Sequence, residues 1–377
     1  MYIYFTVFLL CFVLGTWSLK IKVHDVTVKV LLFVLFLLLA FRYGQGSDYF
    51  GYQILFSYNS NLTEAINNTS SHGEIGFRLL CVLFRENYPL MVFTVSAYQC
   101  LMLGIFLEKH SANKAFSLLL FFPTMFLTYY FSVMRQGIMI ATFLGIGISL
   151  IERHAWVRYV LMCLVLSTLH TVSLALLAIP LLMLIKHFFP LFWFILPISA
   201  MIGFFLTSEW GIAFMANIPY LGSYLSHYLT VGFSTAAILE RIATLFIVLM
   251  CYYSSSYYRE NRTPWWIRAF IFGFILYFLL LPFSLISTRV LICFKVLEVM
   301  IIPELIEKES NRFRQVAAAY FLMLSIVSYF HNVRGYLDQG EYFEDINAVN
   351  YPYVSIFNQD DLWKYREYDR YYLSMNS

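Results

Sequence analysis

The stretch Val157-Arg158-Tyr159-Val160-Leu161-Met162-Cys163-Leu164-Val165-Leu166-Ser167-Thr168-Leu169-His170-Thr171-Val172-Ser173-Leu174-Ala175-Leu176-Leu177-Ala178-Ile179-Pro180-Leu181-Leu182-Met183-Leu184-Ile185 decides how this chain folds. As one helix at ~1.5 Å per residue, its roughly 29 residues would reach about 44 Å, against a hydrocarbon core of about 30 Å. Two short helices meeting near Leu169-His170-Thr171 accommodate the same residues without that excess. The choice also sets the direction of everything downstream. A single crossing would put Arg259, Arg262 and Arg268 opposite the other basic links, whereas a hairpin returns the chain to the side it left. A hairpin is therefore expected, with one long, tilted helix as the competing reading.

The rest of the chain has the same character. Hydrophobic residues make up 60% of the 377 and charged residues 12%, and the mean hydropathy is +0.70. Such a composition lies far from ordinary globular usage and defines a polytopic membrane protein. Besides 157–185, apolar runs occupy 2–18, 27–41, 89–107, 115–132, 136–151, 190–206, 234–254, 267–286, 289–306 and 315–331. The expected fold is all-α, with about 11–13 transmembrane or re-entrant helices. Residues 1–377 are expected to form one transmembrane domain that includes an external loop, 43–88, and an acidic external tail, 332–377. The first run lacks a basic flank and a small-residue cleavage site, so it is expected to be a retained span.

One set of links carries Lys20, Lys22, Lys29, Lys109, Lys114, Arg153, Arg158, Lys186, Arg259, Arg262, Arg268, Lys308, Arg312 and Arg314. By the positive-inside rule that side faces the cytoplasm. The other side holds the link 207–233, which lacks Lys and Arg, and a tail rich in Asp and Glu, including Glu367 and Asp369. The six cysteines lie mostly in apolar runs without metal-ligand spacing and are expected to be small core residues. No basic stretch has the interleaved aromatics of a nucleic-acid surface, so no nucleic-acid partner is expected. The Asn61-Leu62-Thr63, Asn67-Asn68-Thr69 and Asn68-Thr69-Ser70 sequons are weak signals in an Asn/Ser/Thr-rich loop.

On the outer side polar residues are sparse. Arg42 closes the second run and opens Tyr43-Gly44-Gln45-Gly46-Ser47-Asp48, where glycines permit a turn that folds an arginine and a carboxylate onto one site. Arg135-Gln136 begins the fifth run, and Ser287-Thr288-Arg289 follows the run 267–286. Arginine offers a charged planar fork matched to phosphate oxygens, so convergence of Arg42, Arg135 and Arg289 would suit an anionic head group, above all a diphosphate. Each of them, taken alone, also reads as a helix-end anchor to lipid head groups. His170 reads either as a site residue or as a histidine bonded within the bundle. Glu240-Arg241 is expected to be an internal pair, and pairing is also expected of Lys295 and Glu298. The piece from Glu74 to Arg85 is amphipathic and is expected to lie along the interface against the bundle.

Several short pieces, in order, resemble the EpsG-like branch of the Wzy-type polysaccharide polymerases. They are Arg42-Tyr43-Gly44 with Asp48 and Tyr52; Glu74-Ile75-Gly76-Phe77; Arg135-Gln136-Gly137-Ile138; His170 after a short apolar helix; Arg289; and Tyr351-Pro352-Tyr353-Val354-Ser355-Ile356. The resemblance implies a GT-C-like fold and a metal-independent glycosyltransferase of the bacterial inner membrane, without a cofactor, acting on undecaprenyl-diphosphate-linked oligosaccharide at the periplasmic face. It implies as partners a chain-length regulator and a flippase of the same pathway. Arg135 and Arg289, with Arg42 as a third contact or as the holder of Asp48, would stabilise the departing diphosphate. His170 or Asp48 would take the acceptor proton, and Gln136 would hydrogen-bond sugar or phosphate. An O-antigen ligase-like transferase, a lipid-linked oligosaccharide flippase or transporter, and a scaffolding protein are the alternatives. A transporter would be expected to carry internal repeats, and none is visible.

Overall fold

A computed structural model describes residues 2–59, 61–67, 73–84, 87–185, 188–218, 234–260, 263–308 and 312–366. Arg85, Lys186, Arg262, Glu367, Asp369, the Asn68-Thr69-Ser70 sequon and part of the link 207–233 lie outside the described residues, and the Asn67-Asn68-Thr69 sequon lies partly outside them. Among the described residues the chain is α-helical, with isolated β-bridges as its only extended pairing. Six helices are long and apolar enough to cross a bilayer, and four shorter apolar helices accompany them. This is an all-α polytopic membrane protein.

The chain divides into two compact units, one formed by Met1–Thr171 with Ala318–Ser377, the other by Val172–Ala317. The first unit begins with α1 (Ile3–Ser18), α2 (Asp25–Ala40), α3 (Tyr49–Ser57), α4 (Leu62–Asn67), α5 (Ile75–Leu83), α6 (Tyr88–His110) and α7 (Lys114–Phe121). It continues through α8 (Met134–Thr142), α9 (Ile148–Glu152) and α10 (Trp156–Leu169). A π-helix, Phe122–Tyr130, joins α7 to the turn before α8, and a second, Phe143–Gly147, joins α8 to α9. The wider winding is visible in the i→i−5 bonds Phe131 N–H to Phe126 O, 2.9 Å, and Val133 N–H to Thr128 O, 3.2 Å. Pro123, which has no N–H, stands at the start of the first π-helix. Its carbonyl accepts from Asn332 Nδ2 at 2.6 Å, and the Leu127 carbonyl accepts from the Tyr336 hydroxyl. Backbone groups displaced by π-winding are thus met by side chains of a neighbouring helix, as an apolar surrounding demands.

The helices of the second unit are α11 (Ala178–Leu184), α12 (Phe188–Leu206), α13 (Glu209–Ala216), α14 (Thr235–Ser254), α15 (Ser256–Arg259), α16 (Trp265–Leu279), α17 (Ser284–Lys295) and α18 (Glu298–Lys308). A further helix, α19 (Arg312–Gln339), runs eight residues past the expected end of its apolar stretch into the acidic tail, and a short 3₁₀ turn, Gln359–Lys364, follows it.

The stretch 157–185 is broken where its length requires. α10 ends at Leu169, His170 is extended (φ −155°, ψ 112°), and a short 3₁₀ turn, Thr171–Leu177, leads into α11. The runs expected at 267–286 and 289–306 are instead three helices, because Pro282 prevents α16 from continuing and the chain restarts at Ser284. Arg289 therefore sits in the second turn of α17 rather than at its first residue.

Two packing features position the outer loop. α5 buries Phe77 and Cys81, one helical turn apart, in a cluster with Tyr49, Tyr52 and Phe56 of α3, Met91 and Val92 of α6 and Met134 and Ile138 of α8. Each such apolar side chain contributes about 1.5–3 kcal/mol of burial free energy. Leu79 and Leu83 remain exposed on the other face of α5. The backbone between α2 and α3 pairs with the end of the chain: Tyr43 N–H donates to Val354 O and Ile356 N–H to Phe41 O, both at 2.9 Å, around an antiparallel bridge between Arg42 and Ser355.

Candidate functional site

The centre of the first unit's polar chemistry is Glu74, at the N-terminal boundary of α5. Its Oε1 accepts from His170 Nδ1, from the Thr171 N–H and from the Thr171 hydroxyl, each at 3.1 Å. Its Oε2 is ion-paired with Arg135 Nη1. Four groups on one carboxylate leave little of its acceptor capacity unused. Burial alone would raise the carboxyl pKa, but the His170 hydrogen bond and the Arg135 charge outweigh it and hold the group down at about 2.

This meeting depends on a close approach of α5 to the end of α10. A Cβ on Gly76 would lie 2.8 Å from the carbonyl carbon and oxygen of Thr168, so only glycine lets the two backbones come together there. Residues 96 positions apart in sequence are thereby joined. Arg135, the second residue of α8, is held on its other side by Tyr52. The Tyr52 hydroxyl accepts from the Arg135 backbone N–H and from Nε, both at 3.5 Å, and the guanidinium lies 5.7 Å from the Tyr52 ring centre and 5.8 Å from that of Phe77.

A carboxylate is acceptor-only when ionised, so the hydrogen between it and His170 belongs to Nδ1. In the neutral imidazole this leaves the lone pair on Nε2. His170 is buried, and its Nε2 has no hydrogen-bond partner among the described residues. A carboxylate that orients an imidazole, leaving the far nitrogen as an acceptor, is an arrangement suited to proton abstraction.

The other sequence-selected residues fall as follows. Asp48 immediately precedes α3, half-buried, and its side chain makes no hydrogen bond or ion pair among the described residues. It lies within electrostatic range of Tyr52, and through Tyr52 adjoins Arg135. Arg42 does not hold Asp48. Its guanidinium is buried, donates to Leu39 O, and lies 5.0 Å from the Phe131 ring centre and 5.9 Å from that of Tyr49. The turn beyond it depends on Gly46, at φ +91°, where a Cβ would press on Phe131 O at 2.8 Å. Gln45, fully buried, accepts from the Tyr4 hydroxyl at 2.5 Å and donates to Pro352 O. Gln136 is fully buried in α8. Arg289 belongs to the second unit, half-buried on α17. The structure thus brings Arg135 and His170 onto one carboxylate, with Asp48 nearby, and binds Arg42 to Leu39 O instead.

In the second unit Glu240 does not pair with its neighbour Arg241. It takes Lys295 Nζ at 2.7 Å and the Thr244 hydroxyl at 3.1 Å, while Glu298 approaches the same lysine at 3.9 Å. Arg241 donates to the Tyr277 hydroxyl at 2.7 Å and to Thr288 Oγ1 at 3.4 Å, and lies 4.3 Å from the Tyr277 ring centre. Neighbours in sequence point from a helix about 100° apart, which is why each finds a different partner.

Glu74 and Tyr52 escaped sequence reasoning as site residues. The available signal was a single acid just ahead of a short amphipathic helix with glycine at its second position. Among the described residues no group of three His, Cys, Asp or Glu side chains is placed to hold a metal ion.

The membrane-helix architecture defines a polytopic membrane protein. The EpsG family model matches residues 25–354, and the chain belongs to the EpsG family. Comparison with curated proteins and with solved structures gives no match.

Proposed function

We propose that the protein polymerises polyprenyl-diphosphate-linked oligosaccharide repeat units into O-antigen, capsule or exopolysaccharide at the periplasmic face of the bacterial inner membrane. The observation that carries this reading is the Glu74-oriented His170, with Nε2 unpartnered, beside Arg135. An acceptor sugar hydroxyl gives its proton to His170 Nε2 as its oxygen bonds the anomeric carbon of the growing chain. The bond from that carbon to the diphosphate oxygen breaks, and the polyprenyl diphosphate leaves with the electron pair. Glu74 stabilises the imidazolium so formed, as an oriented carboxylate does in acyl-transfer triads.

Negative charge grows on the leaving diphosphate, so cations aimed at its oxygens lower the barrier more than they favour binding. Arg135 is assigned that role. Arg135 is held in orientation by Glu74 and Tyr52, which limits the rotamer freedom lost on binding. Asp48, half-buried beside Tyr52, orients the acceptor.

The test is gel analysis of surface and lipid-linked polysaccharide from a strain lacking the gene, complemented with wild-type protein or with membrane-inserted Arg135→Ala. A single repeat unit in the null and the variant, with a ladder restored by wild type, is the expected result. Long lipid-linked polymer in the null would place the block after polymerisation and replace the reading with a ligase. Normal ladders from Arg135→Ala would remove that arginine from the mechanism.

A further inference from the structure

The first unit carries, at the start of α2 and the end of α6, a feature the polymerase reading does not use. The start of α2 and the end of α6 enclose an open cavity of about 340 Å³, within the size range of small-molecule clefts. Its floor is apolar: Leu32 from α2 faces Leu101, Gly104 and Ile105 from α6. Lys29, Lys109 and Lys114 stand at its rim together with Glu108.

Charge at this rim is unbalanced. Lys114 bridges Asp25 at 3.0 Å and Glu108 at 2.5 Å, and Lys29 lies 3.4 Å from Glu108. Those two carboxylates are therefore occupied. Lys109 and the neighbouring Lys22 form no ion pair among the described residues. The cavity thus joins an apolar trough, between α2 and the candidate span α6, to surplus positive charge at the end that positive-inside counting assigns to the cytoplasm. A soluble anion would use the lysines and leave the trough in contact with water. A zwitterionic lipid would fill the trough and leave the surplus charge unmet.

We propose that this cleft binds one glycerophospholipid with a net negative head group, its acyl chain along Leu32, Leu101 and Ile105 and its phosphate against Lys29 and Lys109. Basic pockets between membrane helices at the cytoplasmic side are suited to such head groups, at about fivefold in affinity per lysine. The lipid fills the seam between α2 and α6 and is independent of the catalytic reading above.

Native mass spectrometry of the purified full chain, offered equal amounts of dioleoylphosphatidylglycerol and dioleoylphosphatidylcholine, tests this. Wild type should retain one phosphatidylglycerol at least tenfold over phosphatidylcholine. The pair Lys29→Gln/Lys109→Gln should lose about twentyfold in phosphatidylglycerol retention and with it the preference. Leu101→Trp, at an exposed position where the larger ring occupies the trough without disturbing the core, should lower retention of both lipids. Equal retention of the two lipids by wild type, or unchanged retention by both variants, would overturn the proposal. Displacement of phosphatidylglycerol by millimolar glycerol phosphate would assign the lysines to a soluble anion and overturn it as well.

Discussion

Glu74 in the first unit and Glu240 in the second are both carboxylates surrounded by apolar helices, and both are paired with a cation. Around Glu240 the charges answer one another, and the unpartnered atoms among the described residues are Arg241 Nε and Glu298 Oε1, one a donor and the other set against Lys295. Lys295 lies between Glu240 and Glu298, and Arg241 is taken up by Tyr277, Thr288 and an aromatic face. Around Glu74 the bonds lead instead to an imidazole whose second nitrogen is left open. A buried network in which opposite charges meet one another holds helices together. One that ends on an unpartnered basic atom is arranged to act on something brought to it.

The sharpest break of this contrast comes from His170→Ala. Loss of a positioned base should lower the rate of repeat-unit transfer about a thousandfold while the protein stays inserted, measured with purified enzyme and lipid-linked substrate. A drop of less than tenfold would move His170 into the class of Glu240.

The second unit gives the mirror test. Glu240→Ala leaves Lys295 with only the more distant Glu298, and should cost about 3 kcal/mol in stability. The double change Glu240→Leu/Lys295→Met should recover most of that loss, read as thermal unfolding in detergent, with transfer activity within a few-fold of wild type. Activity lost in a well-folded double variant would make this network part of the site.

Gly76→Ala probes the backbone contact that creates the Glu74–His170 pair. The added methyl meets main-chain atoms of Thr168, which cannot rotate away, so about 1–3 kcal/mol of overpacking strain is expected. Activity should fall with it as α5 moves from α10. Wild-type activity and Tm would show that the approach has slack.

The smallest effect is on acid stability. The Glu74 carboxyl, usually near 4.5, is held at about 2 in the folded protein. A depressed carboxyl stabilises the fold at pH values above its unfolded value, and that contribution disappears as pH falls from about 4.5 towards 2. Wild type should therefore lose more Tm between about pH 5.5 and 3 than Glu74→Gln does. Parallel slopes would mean that the carboxylate contributes nothing beyond the local bonds.

Much of the fold could be read from the residues because a bilayer imposes a length. The apolar runs appear as helices, and the break at His170 follows from a stretch too long for one crossing. The turn before Ser284 was less visible, since Pro282 is set in an apolar context that continues on both sides. π-winding at Phe122–Tyr130 and Phe143–Gly147 leaves no mark in runs that are hydrophobic at nearly every position.

For the site, residue chemistry selected Arg135 and His170, and the fold joined them through an acid that composition did not single out. Glu74 acquires its role only when α5 meets α10. Arg42 had the right chemistry in the sequence, but its burial follows from pairing with Val354 and Ser355, more than 300 residues away in the chain. Tertiary contacts of that range have no local sequence signal.

The claim that Glu74 and His170 act as one unit is tested most directly by a double-mutant cycle on the rate of repeat-unit transfer. Glu74→Gln alone should cost about a hundredfold, and the double variant Glu74→Gln/His170→Ala should be no slower than His170→Ala by itself, because an orienting carboxylate has nothing left to orient. Losses that multiply, with the double variant a further hundredfold below His170→Ala, would contradict the account and give Glu74 a function of its own.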